Sequence, residues 1–179
     1  MNEQIEGLLK DAALARRAGQ GDDAKRLWSE AVALARAAGE RKALIRGLLG
    51  LAQAERDAGK FAEAITPSEE AVELCRAEGD ALLLAHSVRH LGDVYRHTGE
   101  IKKAEASYAE AVGIYRRERG TSALELANAL RPMALLKEKL GEREVARKLW
   151  EEAREFYRAA GVQAGVEEAE RHLQEDAVR

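Results

Sequence analysis

The sequence predicts an all-α protein, an α-solenoid built from stacked helical hairpins, and three observations carry that prediction. Charged residues fill 34% of its 179 positions and aromatic residues 4%, with two prolines, a balance that favours helices over sheets. Glycines recur at Gly19, Gly59, Gly99 and Gly141, spaced 40, 40 and 42 apart, a period that marks repeated supersecondary units. Each is followed five residues later by an alanine (Ala24, Ala64, Ala104, Ala146) and twelve later by another (Ala31, Ala71, Ala111, Ala153).

Each unit reads as a hairpin. The glycine ends the first helix in a left-handed turn, and a small residue seven before it (Ala12, Ala52, Gly92, Ala134) lets the second helix approach closely. Nine after the glycine, Trp28, Tyr108 and Trp150 are assigned to the packing between helices, with Ser68 in their place in the second unit. Helices are therefore expected at 3–18 and 21–38, 42–58 and 61–78, 81–98 and 101–118, and 122–140 and 143–160. Their repeats fall at about 3–40, 41–80, 81–120 and 121–161 in one array of 179 residues. A ninth helix over 162–177 carries Val162, Val166, Ala169, Leu173 and Ala177 at helical spacing, the pattern of a one-sided cap. The first hairpin has no such lid, so Ile5, Leu8 and Leu9 are expected to lie partly open at an N-terminal edge where a second copy could dock. Pro67 and Pro132 fall inside helices and are expected to kink them, since an interior proline removes a hydrogen bond at a cost of about 3 kcal/mol.

These spacings resemble the tetratricopeptide repeat family. The third unit matches best, with Leu91, Gly92, Tyr95, Gly99, Ala104, Tyr108 and Ala111 at the family's positions, and the resemblance runs over residues 5–160. The period exceeds the family's usual length of about 34, as in the repeats of kinesin light chains and similar bacterial proteins. The closing proline is missing, and Glu55 and Ser68 replace bulky residues in the second unit.

The resemblance implies a right-handed superhelix of four hairpins plus the cap, with the first helix of each pair lining a concave surface. It also implies a scaffold for protein–protein interaction and no enzymatic activity. The surface would be lined by Glu6, Lys10, Ala13, Arg16 and Arg17, then by Arg46, Leu49, Gly50, Gln53, Arg56 and Asp57. The third unit would add His86, Arg89, His90, Asp93, Arg96 and His97, and the fourth Asn128, Arg131, Leu135, Glu138 and Lys139. Nine of these are basic and four acidic in a chain of net charge −3, so the groove is expected to be locally positive and to take an acidic peptide or an anionic protein segment through arginine forks. The contact residues singled out are Arg16, Arg46, Gln53, Arg56, His86, Arg89, His90, Asp93, Arg96, His97, Asn128 and Arg131. A clamp for chaperone tails is not expected, because Leu9, Ala13, Leu49, Gly50 and Gln53 stand where its lysines and asparagines would fall. Self-association through the N-terminal hairpin is the alternative reading.

Other chemistries find little footing. His86, His90, Asp93 and His97 share an arc of about 60° on one helix face, but the stripe runs about 16 Å, too long for one ion. No metal or cofactor is expected. Cys75 lies at helical spacing with Ala64, Ser68, Ala71 and Val72, which places it on the packing face. No phosphate loop or nucleophile elbow is present. The mild charge gives no footprint for nucleic acid, and no apolar run approaches the ~18 residues of a membrane span. Charges interrupt "MNEQIEGLLKDAALARRAG" where a signal peptide needs an apolar run, and a single cysteine fits a reducing compartment, so a cytoplasmic location is expected.

Overall fold

The computed structural model describes residues 1–177, and among them every regular element is a helix. In chain order these are α1 (Asn2–Arg17), α2 (Gly21–Ala38), α3 (Arg41–Asp57), α4 (Phe61–Glu78), α5 (Ala81–Thr98), α6 (Ile101–Arg117), α7 (Ala123–Lys139), α8 (Arg143–Ala159) and α9 (Gln163–Ala177). Every boundary falls within one residue of the position that the glycine period predicts.

The period works through its turns. At the end of α3, Gly59 takes φ +73°, which brings its N–H to the Arg56 carbonyl (2.9 Å) and the Lys60 N–H to the Glu55 carbonyl (2.8 Å). The two bonds satisfy carbonyls that the helix end would otherwise orphan, and glycine enters this backbone region without steric cost. α1 and α7 close in the same way, with Gln20 donating to Ala15 and Glu142 to Lys137, each at 2.9 Å. This turn sets the side chain of the residue before it beside that of the residue after it. Residues 55 and 60 are therefore neighbours by construction, as are 137 and 142.

The longer third period has a local origin. The link between α6 and α7 takes five residues, 118–122, where the other inter-hairpin links take two. Ser122 closes it with a capping box, accepting from the Glu125 N–H (3.2 Å) while Glu125 accepts from the Ser122 N–H (2.8 Å).

Side-chain size explains the packing between helices. The periodic alanines are all buried, and glycines allow still closer approach. A Cβ added at Gly50 would lie 2.3 Å from the Trp28 indole, and one at Gly92 would lie 2.7 Å from the Tyr108 ring. Gly50, expected to line the groove, instead lies under Trp28.

By its contacts the chain forms two compact units, Met1–Asp80 with His97–Gly99, and Ala81–Arg96 with the chain from Glu100 onward. The core of unit 1 is built from Ile5, Leu9, Trp28, Val32, Leu44 and Leu48, and that of unit 2 from Val112, Tyr115, Leu130, Trp150 and Tyr157. Burial of such side chains contributes about 1.5–3 kcal/mol apiece and dominates the stability of each unit. α9 adds Val166 and Ala169 to the second core, with Val162 and Leu173 packed half-buried against it. The side chain of Ala177, the last of the expected stripe, lies outside the described residues.

One expectation changes. Ile5 and Leu9 are not open at an edge: they are buried within unit 1 and Leu8 is half-buried, because α3 packs on α1 and α2. The large apolar side chain that α1 and α2 do expose is Leu14. Neither proline interrupts its helix; α4 and α7 run continuously through Pro67 and Pro132, and both rings are buried. Cys75 is fully buried on the packing face of α4.

Candidate functional site

The twelve residues singled out from the sequence fall into both units. In unit 1, Asp57 joins three of them. It accepts from Arg16 Nε (2.6 Å) and from Gln53 Nε2 (2.5 Å), and the Gln53 carbonyl accepts from Arg56 Nη2. Partial burial works to raise the Asp57 pKa, but the bonds from Arg16 and Gln53 hold it below its ordinary value. Arg46 stands apart on an exposed stretch of α3, bonding both oxygens of Glu6 at 2.8 and 2.9 Å. His97 belongs to this unit and stacks flat on Phe61, with ring centres 3.9 Å apart and planes 2° from parallel.

Unit 2 holds the denser constellation, along α5. Asp93 is its centre, accepting from the Tyr108 hydroxyl at 2.9 Å, with His90 Nδ1 at 3.4 Å and Arg89 Nη1 at 3.8 Å. Arg89 Nη2 also meets His90 Nε2 at 2.7 Å. A guanidinium only donates, so Nε2 accepts and the imidazole proton sits on Nδ1, facing Asp93. His86 packs edge-on against His90, ring centres 4.5 Å apart. Burial alone would lift the Asp93 pKa; the hydrogen bond from His90, that from the Tyr108 hydroxyl and the Arg89 charge bring it below the usual carboxylate value.

Arg96 completes the row. Its Nε donates to the Tyr108 oxygen at 3.3 Å, and neither Nη group has a partner among the described residues. The side chain is half-buried. Five guanidinium donors on a held stem, with only one engaged, suit a carboxylate or phosphate offered from outside.

Asn128 and Arg131 turn toward their own unit. The Asn128 side-chain carbonyl accepts from Tyr157 (3.1 Å), while Arg131 clasps Glu168 of α9 through Nε and Nη2, both at 2.6 Å. The hydrogen bond to Arg131 outweighs burial and keeps the Glu168 pKa low. Two members of these networks were missed in the sequence. Tyr108 appears there only as a buried ring, since helical periodicity says nothing of where its hydroxyl ends. Glu168 lies on the capping helix, and its spacing of 37 from Arg131, close to the repeat length, was the available signal.

Among the described residues, no three histidine, cysteine or carboxylate side chains are placed to hold a metal ion, and no helix is long and apolar enough to cross a membrane.

Comparison with known proteins points to the same kind of repeat. Residues 81–159 match the tetratricopeptide repeat family. The family of anaphase-promoting complex subunit 5 matches twice, over the overlapping stretches 4–46 and 41–97. No curated protein sequence matches the chain. Among solved structures, the apo form of RapI has a TM-score of 0.80 at 18% identity, covering 88% of this chain and 43% of its own. A Rap protein complexed with Competence and Sporulation Factor has a TM-score of 0.81 at 16% identity, covering 97% and 52%. A putative kinesin light chain from Podosopora anserina with nearly identical TPR-like repeats has a TM-score of 0.62 at 18% identity, covering 99% and 96%. The chain thus spans about half the length of the Rap proteins it matches. At these identities the structures speak for the fold alone, and the fold, the glycine period and the match over residues 81–159 agree on an all-α protein of tetratricopeptide-type repeats.

Proposed function

We propose that this tetratricopeptide array works as a protein-interaction scaffold, without catalysis, and that the basic face of α5 in unit 2 binds an acidic peptide or an anionic protein segment. The observation that carries the reading is the Arg96 fork, held half-buried by Tyr108 with both Nη groups open to a partner. Arg89 lies 3.8 Å from Asp93, whereas Arg96 reaches Asp93 only through the Tyr108 hydroxyl, so a carboxylate brought from outside would meet a guanidinium with its Nη groups still to be paired. The similar Rap structure is itself a complex, with Competence and Sporulation Factor, and a matched family is named for a subunit of a larger assembly, which favours a binding role.

Arg16, Arg46 and Arg131 already satisfy internal carboxylates, so they contribute less to such a contact than the sequence suggests. The binding face is centred on His86, Arg89, His90 and Arg96, with Arg56 and Gln53 as a separate polar group in unit 1.

Fluorescence anisotropy with a labelled Glu-rich peptide tests the proposal. Arg96→Ala should weaken binding about tenfold, the worth of one charge-assisted bidentate contact, and added salt should weaken it further. Arg46→Ala serves as the control. Peptide affinity unchanged in Arg96→Ala and in a folded Arg89→Gln/Arg96→Ala protein would reject the proposal.

A further inference from the structure

Beyond the face of α5, the first hairpin presents a second surface. An open groove of about 380 Å³ lies along α1 and α2, lined by Asp11, Leu14, Ala15, Ala18, Asp23 and Leu27 among others. Leu14 is 50% exposed and Leu27 half-buried. Glu30, three residues beyond Leu27 on the same face of α2, is exposed, and its carboxylate has no hydrogen-bond or ion-pair partner among the described residues.

The chain shows elsewhere what such a surface takes. Counted from the glycines of the turns after α1 and α7, Gly19 and Gly141, the same three residues recur in the fourth hairpin as Leu136, Leu149 and Glu152. There a helix covers them. α6 packs on α7; Leu136 is fully buried, and Leu149, 9% exposed, joins one apolar cluster with Val112, Ile114 and Tyr115 of α6. Arg116, in the last turn of α6, closes on Glu152 with Nη2 2.5 Å from Oε2. In unit 1 the second hairpin is covered in the same way, α2 packing on α3 while Arg36 bonds both oxygens of Glu70 at 2.7 and 2.8 Å. Glu70 and Glu152 are the repeat equivalents of Glu30. In both cases the cover is an amphipathic helix with an arginine set on that glutamate.

Charge selects the occupant further. Asp11, Asp23 and Glu30 stand against Arg26 along the groove, and Arg26 already pairs with Asp23 at 3.5 Å. Asp11 takes the place of Met133 in the fourth hairpin, so the first edge is the more acidic. A second copy offers a poor complement. Its own edge is equally acidic, and its Arg158, the repeat equivalent of Arg36 and Arg116, is held by Glu155 and Glu170. We infer that the open edge of the first hairpin docks a basic amphipathic helix of a partner protein, its apolar face over Leu14 and Leu27 and an arginine on Glu30. α6 itself has this character, with four cations and two carboxylates in IKKAEASYAEAVGIYRR.

A synthetic peptide of the α6 sequence, Ile101–Arg117, with blocked ends is the probe, titrated into the whole ¹⁵N-labelled chain and followed by ¹H–¹⁵N NMR. Saturable shifts are expected at the amides of Leu14, Leu27 and Glu30. Leu14→Glu, at a half-exposed position, should keep the fold and weaken binding about tenfold or more. Glu30→Arg should weaken it about fivefold, and a peptide carrying Arg116→Glu should bind that variant better than it binds the wild-type chain, a reversal that misfolding does not produce. Absence of shifts at these amides, or shifts confined to α7 and α8 where the peptide would replace α6, would overturn the inference. So would equal affinity of both peptides for both proteins. A dimer in light scattering that Leu14→Glu disperses would assign the surface to a second copy and overturn it as well.

Discussion

Lys25 of α2 bonds Glu55 of α3 at 2.6 Å, and the same two repeat positions in unit 2 carry Glu105 and Lys137, bonded with the charges exchanged. Helix capping does not require this, since the third repeat places Tyr95 at the equivalent position and Ala15 stands there in the first. These two interfaces have opposite polarity, so the first hairpin stacked on the fourth would bring Lys25 against Lys137. Lys137 is 7% exposed and holds two carboxylates, which makes it the sharper test. Lys137→Glu should cost about 3 kcal/mol, because it leaves three carboxylates in one place. Glu105→Lys with Lys137→Glu should recover most of that loss. Urea unfolding of the single and double variants reads it directly, and strictly additive effects would contradict a coupled pair.

Close approach at two glycines gives a steric prediction. Gly50→Ala drives a methyl to 2.3 Å from the Trp28 indole, and Gly92→Ala to 2.7 Å from the Tyr108 ring. Both rings are buried and cannot swing away, so each change should cost about 1–3 kcal/mol through overpacking. Gly7 lies inside α1 with nothing within 4 Å of the added atom. There the helix propensity of alanine acts alone, and Gly7→Ala should stabilise by about 0.5–1 kcal/mol. Thermal melts of the three proteins should therefore move in two directions.

The glycine and alanine periods made the helices legible because turn geometry and interhelix distance are local demands, written once in every repeat. The arginine networks were less legible for the opposite reason. Arg16, Arg46 and Arg131 meet Asp57, Glu6 and Glu168, partners 41, 40 and 37 residues away, and a helical wheel shows which way a side chain leaves its helix but not what waits there. Neighbours at four-residue spacing, the usual guess for such arginines, supply few of these bonds. Comparing charges at equivalent positions two repeats apart, as for Lys25 and Glu105, would have exposed the exchanged pairs from the sequence. The stacking of His97 on Phe61 had no such signal.

Tyr108 links packing to the proposed binding face. Its ring is fully buried, while its hydroxyl donates to Asp93 and accepts from Arg96. Burial, followed by the Asp93 charge, pushes its pKa far above the usual tyrosine value. Tyr108→Phe keeps the ring and removes both bonds. It should lower stability by about 1 kcal/mol and weaken acidic-peptide binding beyond that, since Arg96 loses the group that holds its stem. Peptide affinity equal to wild type, with only the stability change, would separate the two roles and show that Arg96 needs no positioning.

Stability should form a plateau in pH with two different shoulders. Asp57, Asp93 and Glu168 have carboxyl groups held below their ordinary values. Their contribution is present above the unfolded pKa, about 4, and drains away as pH falls through the lower folded values. Lys25 and Lys137 have raised values, each owing first to its hydrogen bond from the ammonium to glutamate. Their contribution is complete below the unfolded lysine value of about 10.4 and is lost as pH climbs through the higher folded ones. Glu168→Gln should soften only the acid shoulder, by about 1 kcal/mol or less because Arg131 is partly exposed. Lys137→Met should soften the alkaline one. Urea midpoints measured from acid to alkaline pH would show this division of effect, and a Glu168→Gln protein that changed the alkaline shoulder instead would refute the assignment.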